Sequence, residues 1–238
     1  VSVINTLSVV VCAADGAHLT QTVQAVSVAA RRYSVEHEII IAAGPAAVAA
    51  AARSAAAYPF AHATFHSQPR RPAYLLRDAC ALIGGDMVLA LDADAPPSAL
   101  AIERLLTAYH GHDVLVGMRV PAPSHPLHRA HTTLLRRVLA SDQTDPLLPL
   151  ALFRAELIDL LPGDDELAPP LAHLYASARR RNYVTGQVAL PAHSVPSRLS
   201  GLADVAALVA QGPARGASPA LGALAVVGSL WFLLRRRR

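Results

Sequence analysis

The stretch Gly85-Asp86-Met87-Val88-Leu89-Ala90-Leu91-Asp92-Ala93-Asp94-Ala95-Pro96-Pro97 decides how this chain is read. Five consecutive apolar residues run into two carboxylates spaced i, i+2, and a Pro-Pro pair stops the run. A short, continuous apolar run bounded by turn residues is the pattern of a strand buried on both faces, as in a parallel sheet. Ligands of such sheets gather at the carboxyl ends of the strands, where Asp92 and Asp94 sit. If extended backbone persists through Asp94, the two carboxylates share one side. Mg²⁺ takes one or two carboxylates together with substrate phosphates, so the pair suggests a metal-bridged diphosphate site.

Working outward, apolar runs alternate with helical patterns. Strands are expected at residues 7–12, 38–43, 63–66, 113–117 and 184–190, besides the run ending at Asp92. Helices are expected at 19–32, at the alanine-rich 46–57, at 74–83, and from an N-cap at Ser98 to about Tyr109. Gly84-Gly85 ends the third of these. In the second half, helices are expected at 130–139, 149–161 and 171–181, the last closing on Arg179-Arg180-Arg181. This alternation predicts an α/β protein: a doubly wound, mostly parallel sheet with helices on both faces.

Bulk properties narrow the function. The 238 residues suffice for one sizeable domain and a small appendage, and hydrophobic content of 53% excludes general disorder. Of the formal charge of +4, most resides in Arg235-Arg236-Arg237-Arg238, leaving a nearly neutral body. That balance, with aromatics at only 5%, argues against a nucleic-acid partner. Cys12 and Cys80 read as small buried hydrophobes of a reducing compartment. The first residues lack the basic start of a secretory signal. Residues 212–219, rich in Gly, Pro and Ala, read as a linker after a domain spanning 1–211. Residues 220–238 then read as an apolar helix with an arginine tail, and the uncharged run 217–234 is near the lower limit for crossing a bilayer. Trp231-Phe232 beside four arginines resembles an interfacial anchor.

Several of these elements together resemble a family. The strands at 7–12 and 38–43, Leu91-Asp92-Ala93-Asp94 with Pro96-Pro97, Val116-Gly117-Met118-Arg119, and Ser141-Asp142-Gln143-Thr144 occur in the order seen in family 2 glycosyltransferases. The branch they resemble is the dolichol/polyprenol-phosphate mannosyltransferase-like one, over about residues 7–200. The resemblance implies a GT-A fold, a nucleotide-sugar donor, Mg²⁺ or Mn²⁺, and an inverting hexosyl transfer to a polyprenyl-phosphate or other glycan or lipid acceptor. It assigns Asp92 and Asp94 to the metal and the diphosphate, Ala93 to the ribose side, and Asp15 to polar donor contacts. Arg119 matches a donor or acceptor phosphate contact, and Arg129 and Arg198 match acceptor-phosphate residues. Arginine suits these roles because its planar fork matches phosphate oxygens. Because sugar nucleotides are cytosolic, the implied location is the cytoplasmic face of a membrane. There a helix lying in the interface reconciles the arginine tail with the positive-inside rule.

The departures define an alternative. The second strand ends Ala42-Ala43-Gly44-Pro45, where the family carries an acid that reads base and ribose. The family's Thr-Ser-Gly-Phe is here Thr144-Asp145-Pro146-Leu147. A degenerate relative, serving as a membrane-attached binding or scaffold protein, therefore stands beside the enzyme reading. Other features read more plainly. His125, His128 and His131 are spaced for a helix face, but Pro126 interrupts them, and a polar loop near the acceptor is expected. Arg70-Arg71 precedes a segment that in the family lies near the donor. Asp164-Asp165-Glu166 is an acidic turn that, like Asp145, could hold the base for an ordinary glycosyl acceptor.

Overall fold

The computed structural model describes residues 4–33, 35–68, 72–162 and 169–192. Its strands are β1 (Thr6–Ala13), β2 (Glu36–Ala43), β3 (Ala61–Phe65), β4 (Met87–Asp92), β5 (Val114–Val120), β6 (Leu150–Arg154) and β7 (Thr185–Pro191). Its α-helices are α1 (Leu19–Tyr33), α2 (Val48–Ala57), α3 (Pro72–Cys80), α4 (Ala99–Thr107), α5 (Pro126–Val138) and α6 (Pro170–Arg180). The described strands form one sheet in the order β3-β2-β1-β4-β6-β5-β7. Every pairing is parallel except those of β6, which runs antiparallel to both β4 and β5. The carboxyl ends of β1, β4 and β5 therefore meet at one edge.

Alternation along each strand sorts the core into two layers. Leu7, Val9 and Val11 of β1 and Leu89 and Leu91 of β4 pack with Val23 and Val26 of α1 and Ile102 and Leu105 of α4. The intervening residues Val10, Cys12, Val88 and Ala90 face the other way, against Leu75 and Leu76 of α3 and Leu174 and Tyr175 of α6. Helices thus cover both faces, as the apolar runs predict. Ser98 caps α4, its Oγ accepting from the Ala101 N–H at 3.3 Å.

The expected helix at 149–161 is instead the strand β6 followed by a 3-10 helix, Ala155–Leu160. Leu150 and Leu152 enter one core layer, and Ala151 and Phe153 the other. Leucine and alanine are strong helix formers, but four apolar residues in a row leave a helix no polar face, and burial on two sides suits a central strand. Helix α5 also starts earlier than its pattern suggests. Pro126 takes its first position, where the missing N–H needs no partner, so it opens the helix rather than breaking it.

A polar network ties the amino ends of the strands and fixes their register. The Ser8 hydroxyl donates to Glu38 Oε1 at 2.6 Å and accepts from the Gly85 N–H at 2.8 Å. Asp86 Oδ1 accepts from the Thr6 N–H and hydroxyl, both at 2.9 Å. Gly85 is required by close approach, since a Cβ there would stand 2.8 Å from the Ser8 backbone nitrogen. The resulting register sets Asp92 directly across from Cys12. No helix among the described residues is long and apolar enough to cross a membrane. The linker expected at 212–219 and the apolar helix expected at 220–238 lie outside the described residues.

Candidate functional site

Strand β4 stops at Asp92, and Ala93 and Asp94 turn. The expected extended geometry does not continue: Asp92 Oδ1 accepts from the Asp94 N–H at 2.8 Å and curls the chain back over the strand end. The Asp94 carboxylate in turn accepts from the Ala14 N–H at 3.2 Å and the Asp15 N–H at 3.4 Å. Asp94 therefore ties the turn after β4 to the loop after β1, and Asp15, exposed, stands at that junction. In that loop Gly16 has φ +74°, and a Cβ would stand 2.9 Å from Ala47 Cα, so no other residue fits easily. Ala93 is fully buried in the core, and its N–H donates to Cys12 O at 2.8 Å. Beneath the pair, burial first and then the Asp92 carboxylate push the Cys12 thiol up, so it is inert as a nucleophile.

The neighbouring strand end carries no acid. Ala43 is buried, and a Cβ on Gly44 would stand 3.1 Å from Ala14 O. A polar residue at this edge is His66, whose backbone N–H donates to Ala43 O and whose side-chain Nδ1 lies 3.6 Å from Asp78 Oδ2.

A second polar centre lies at the carboxyl end of β5, two strand spacings or about 10 Å from β4. Arg119 donates through Nε to Asp145 Oδ2 at 2.6 Å and through Nη2 to Asp145 Oδ1 at 2.9 Å. Its backbone N–H reaches Asp145 Oδ2 at 3.3 Å. Both residues are 3% exposed. His128, also buried, lies 3.5 Å from Arg119 Nη2 and 3.6 Å from Asp145 Oδ1. Burial alone would push the Asp145 carboxyl up, but the hydrogen bonds from Arg119 and His128 and the Arg119 charge outweigh it and hold it at about 2. The cluster borders a cavity of about 200 Å³ lined by Arg119, Ser124, His128, Arg129, Thr132 and Thr144, among others. Gln187 of β7 steadies the loop carrying Asp145, its Oε1 accepting from the Thr144 N–H at 2.7 Å and its Nε2 donating to Tyr175 Oη at 3.3 Å.

The structure brings Asp15, Ala93, Asp92 and Asp94 together at one point, and Arg119 with exposed Arg129 at another. Arg198, Arg70-Arg71 and Asp164-Asp165-Glu166 lie outside the described residues. Asp145 is unsuited to the role of general base, because both oxygens are committed to Arg119 and so low a pKa makes a weak base. The three histidines do not form a polar loop: His125 precedes α5, while His128 and His131 are buried on it. Nothing in the local sequence pattern marks Thr132 or Gln187. The visible signal was the acid at 145 where the family pattern has serine, a new charge that needed a partner.

Among the described residues, no cluster of three or more His, Cys, Asp or Glu side chains is arranged to hold a metal ion. The donor set at Asp92 and Asp94 is two hard carboxylates. That set fits Mg²⁺ or Mn²⁺ shared with substrate phosphates, not a cage made of protein alone.

No family model matches the chain, and no curated protein matches it. Solved structures do. The chain is similar to glucosyl-3-phosphoglycerate synthase from Mycobacterium tuberculosis in complex with Mn²⁺, uridine diphosphate and phosphoglyceric acid. That match has a TM-score of 0.65 and 18% identity over 87% of this chain and 78% of that one. The same synthase with Mg²⁺ and uridine diphosphate matches with a TM-score of 0.63 and 19% identity, over 94% and 80% of the two chains. Its complex with Mn²⁺, UDP-glucose and phosphoglyceric acid gives a TM-score of 0.60 at 18% identity, over 87% and 79%. The chain thus shares the fold of that synthase, the GT-A fold, with its mixed seven-strand sheet.

Proposed function

We propose that this chain is a metal-dependent glycosyltransferase that moves a hexose from a nucleotide-sugar donor to an acceptor seated beside Arg119. The observation that carries the reading is the Asp92–Asp94 pair, held at the carboxyl end of β4 by its own turn and by the loop after β1. Asp92 and Asp94 would hold Mg²⁺ or Mn²⁺ on the donor diphosphate. The bound cation supplies electrostatic stabilisation of the departing nucleotide. Asp94 also fixes the β1 loop, so one carboxylate organises both sides of the diphosphate site. Asp15 stands where it can orient the donor. The similar synthase, at the same fold, binds UDP-glucose with Mn²⁺, which makes UDP-glucose the first donor to try.

On the acceptor side, Arg129 is exposed and lines the same cavity as Arg119. Arg129 and Arg198 are the residues proposed to meet an acceptor phosphate, whether of a polyprenyl phosphate, a small phospho-acid or another glycan or lipid carrier. Arg119 orders the floor of the cavity. Residues 217–238 would attach the enzyme to the cytoplasmic face of a membrane, an inference that rests on the uncharged run and the four arginines alone.

One observation favours a second reading, a retired transferase that binds or scaffolds. The end of β2 offers no side chain to a base or ribose, and Gly44 is closely packed against Ala14. A donor screen with Mn²⁺, scored by release of nucleoside diphosphate, separates the two. The enzyme reading expects turnover that Asp92→Ala abolishes; turnover unchanged in Asp92→Ala rejects the assignment, and no turnover with any donor favours the scaffold.

A further inference from the structure

The cavity at the end of β5 contains a buried guanidinium that is already neutralised. Arginine can present its Nε–Nη2 edge or its Nη1–Nη2 end to a carboxylate or phosphate, and here Asp145 fills the Nε–Nη2 edge, at 2.6 and 2.9 Å. A phosphate entering the cavity would have to displace a carboxylate that is part of the chain or meet only the Nη1 end of a guanidinium whose charge Asp145 already balances. It would also add negative charge beside the buried Asp145 carboxylate, and like charges repel.

What the cavity still offers is uncharged chemistry. Arg119 Nη1, His128 Nδ1 and Thr132 Oγ1 belong to lining residues, are buried, and have no hydrogen-bond partner among the described residues. One is a donor, one a ring nitrogen and one a hydroxyl that both donates and accepts, a set matched by hydroxyl groups. Buried polar atoms left without partners are costly, so a group that satisfies them as the lining side chains turn toward it is favoured. The volume of about 200 Å³ holds a group of several heavy atoms, since a single water takes about 30 Å³.

We propose that Asp145 sets the specificity of this cavity: as the built-in counter-ion of Arg119, it admits an uncharged hydroxyl-bearing group, such as a sugar or glycerol unit, and keeps phosphate and carboxylate groups out. Arg119 is then a positioning residue, not a phosphate ligand, and any acceptor charge stays at the rim with exposed Arg129. The proposal rests on reading this cavity as the acceptor side of the site. Its test needs neither metal nor nucleotide, so its failure is distinguishable from failure of the transferase reading.

The experiment is NMR on the full chain with two probes, inorganic phosphate and glycerol. The Arg119 Nε–H signal, identified by its loss in Arg119→Lys, should stay in place as phosphate rises through the millimolar range at constant ionic strength. Saturation transfer to glycerol should be seen in the wild type and be reduced several-fold in Thr132→Val. In Asp145→Asn, phosphate should now shift the Arg119 signal in a saturable way. A saturable phosphate shift of Arg119 in the wild type overturns the proposal, as does glycerol contact that is absent or indifferent to Thr132→Val. An Asp145→Asn chain that folds but gains no phosphate response also overturns it. If that variant fails to fold, the wild-type and Thr132→Val measurements decide alone.

Discussion

Replacing Asp145 with alanine should be among the most damaging single changes in the described part of this chain. In the native structure the Arg119 and Asp145 side chains are 2% and 4% exposed and share two short charge-assisted bonds. Removing the carboxylate leaves a guanidinium buried with no other carboxylate bonded to it among the described residues. Breaking a buried pair by deleting one partner costs about 3–5 kcal/mol, because the remaining charge is uncompensated. Protonation is gentler, because the neutral acid still hydrogen-bonds. The Asp145 pKa is about 2 when folded, against about 3.9 unfolded, a gap worth roughly 2–3 kcal/mol. Because the folded value is depressed, that contribution is present above about pH 4 and is lost as pH falls through about 2. Urea denaturation at neutral pH measures the first quantity, and its repetition down to pH 2 measures the second. The double variant Arg119→Met, Asp145→Leu should recover most of the loss, since an apolar pair removes both charges. If Asp145→Ala loses less than about 1 kcal/mol, the pair is solvated and the reasoning fails.

Two further outcomes follow from particular contacts. Gly85→Ala should destabilise by about 1–3 kcal/mol in thermal or urea unfolding, because the new methyl stands 2.8 Å from the backbone of Ser8 and the strand ends must shift; an unchanged melting temperature would contradict the close approach. Deleting residues 217–238 should leave the domain folded by circular dichroism and abolish co-sedimentation with anionic vesicles, four arginines contributing about 1 kcal/mol each at low salt; precipitation of the shortened chain would place the segment in the core instead.

The fold was largely legible because its central strands are short apolar runs without rivals. Residues 7–12, 38–43 and 87–91 have no polar face for a surface helix to present, and Gly or Pro follows each closely. Segment 150–154 departs from its local pattern for a physical reason: Leu-Ala-Leu-Phe has the composition of a helix, and only burial between β4 and β5 makes it a strand. Pro126 misled similarly, since a proline inside a helical pattern and one that begins a helix look alike until the boundary is known. The carboxylates were found by their place after a buried strand, but not their use. That Asp94 turns back to hold Ala14 and Asp15 depends on a pairing 80 residues away in sequence. The neutralisation of Arg119 was hidden likewise, because its partner stands 26 residues on, in a loop whose path Gln187 of another strand helps set. Local pattern registers which groups are present; long-range contacts decide which charges remain available to a ligand.

The most direct test of the central claim is isothermal titration of the full chain with UDP, with and without Mn²⁺, in the wild type and in Asp92→Asn. UDP should bind only when Mn²⁺ is present, and Asp92→Asn should weaken binding at least about tenfold, roughly 1.4 kcal/mol or more. Binding of equal strength without metal, or undiminished in Asp92→Asn, would contradict a metal-bridged diphosphate site at the end of β4.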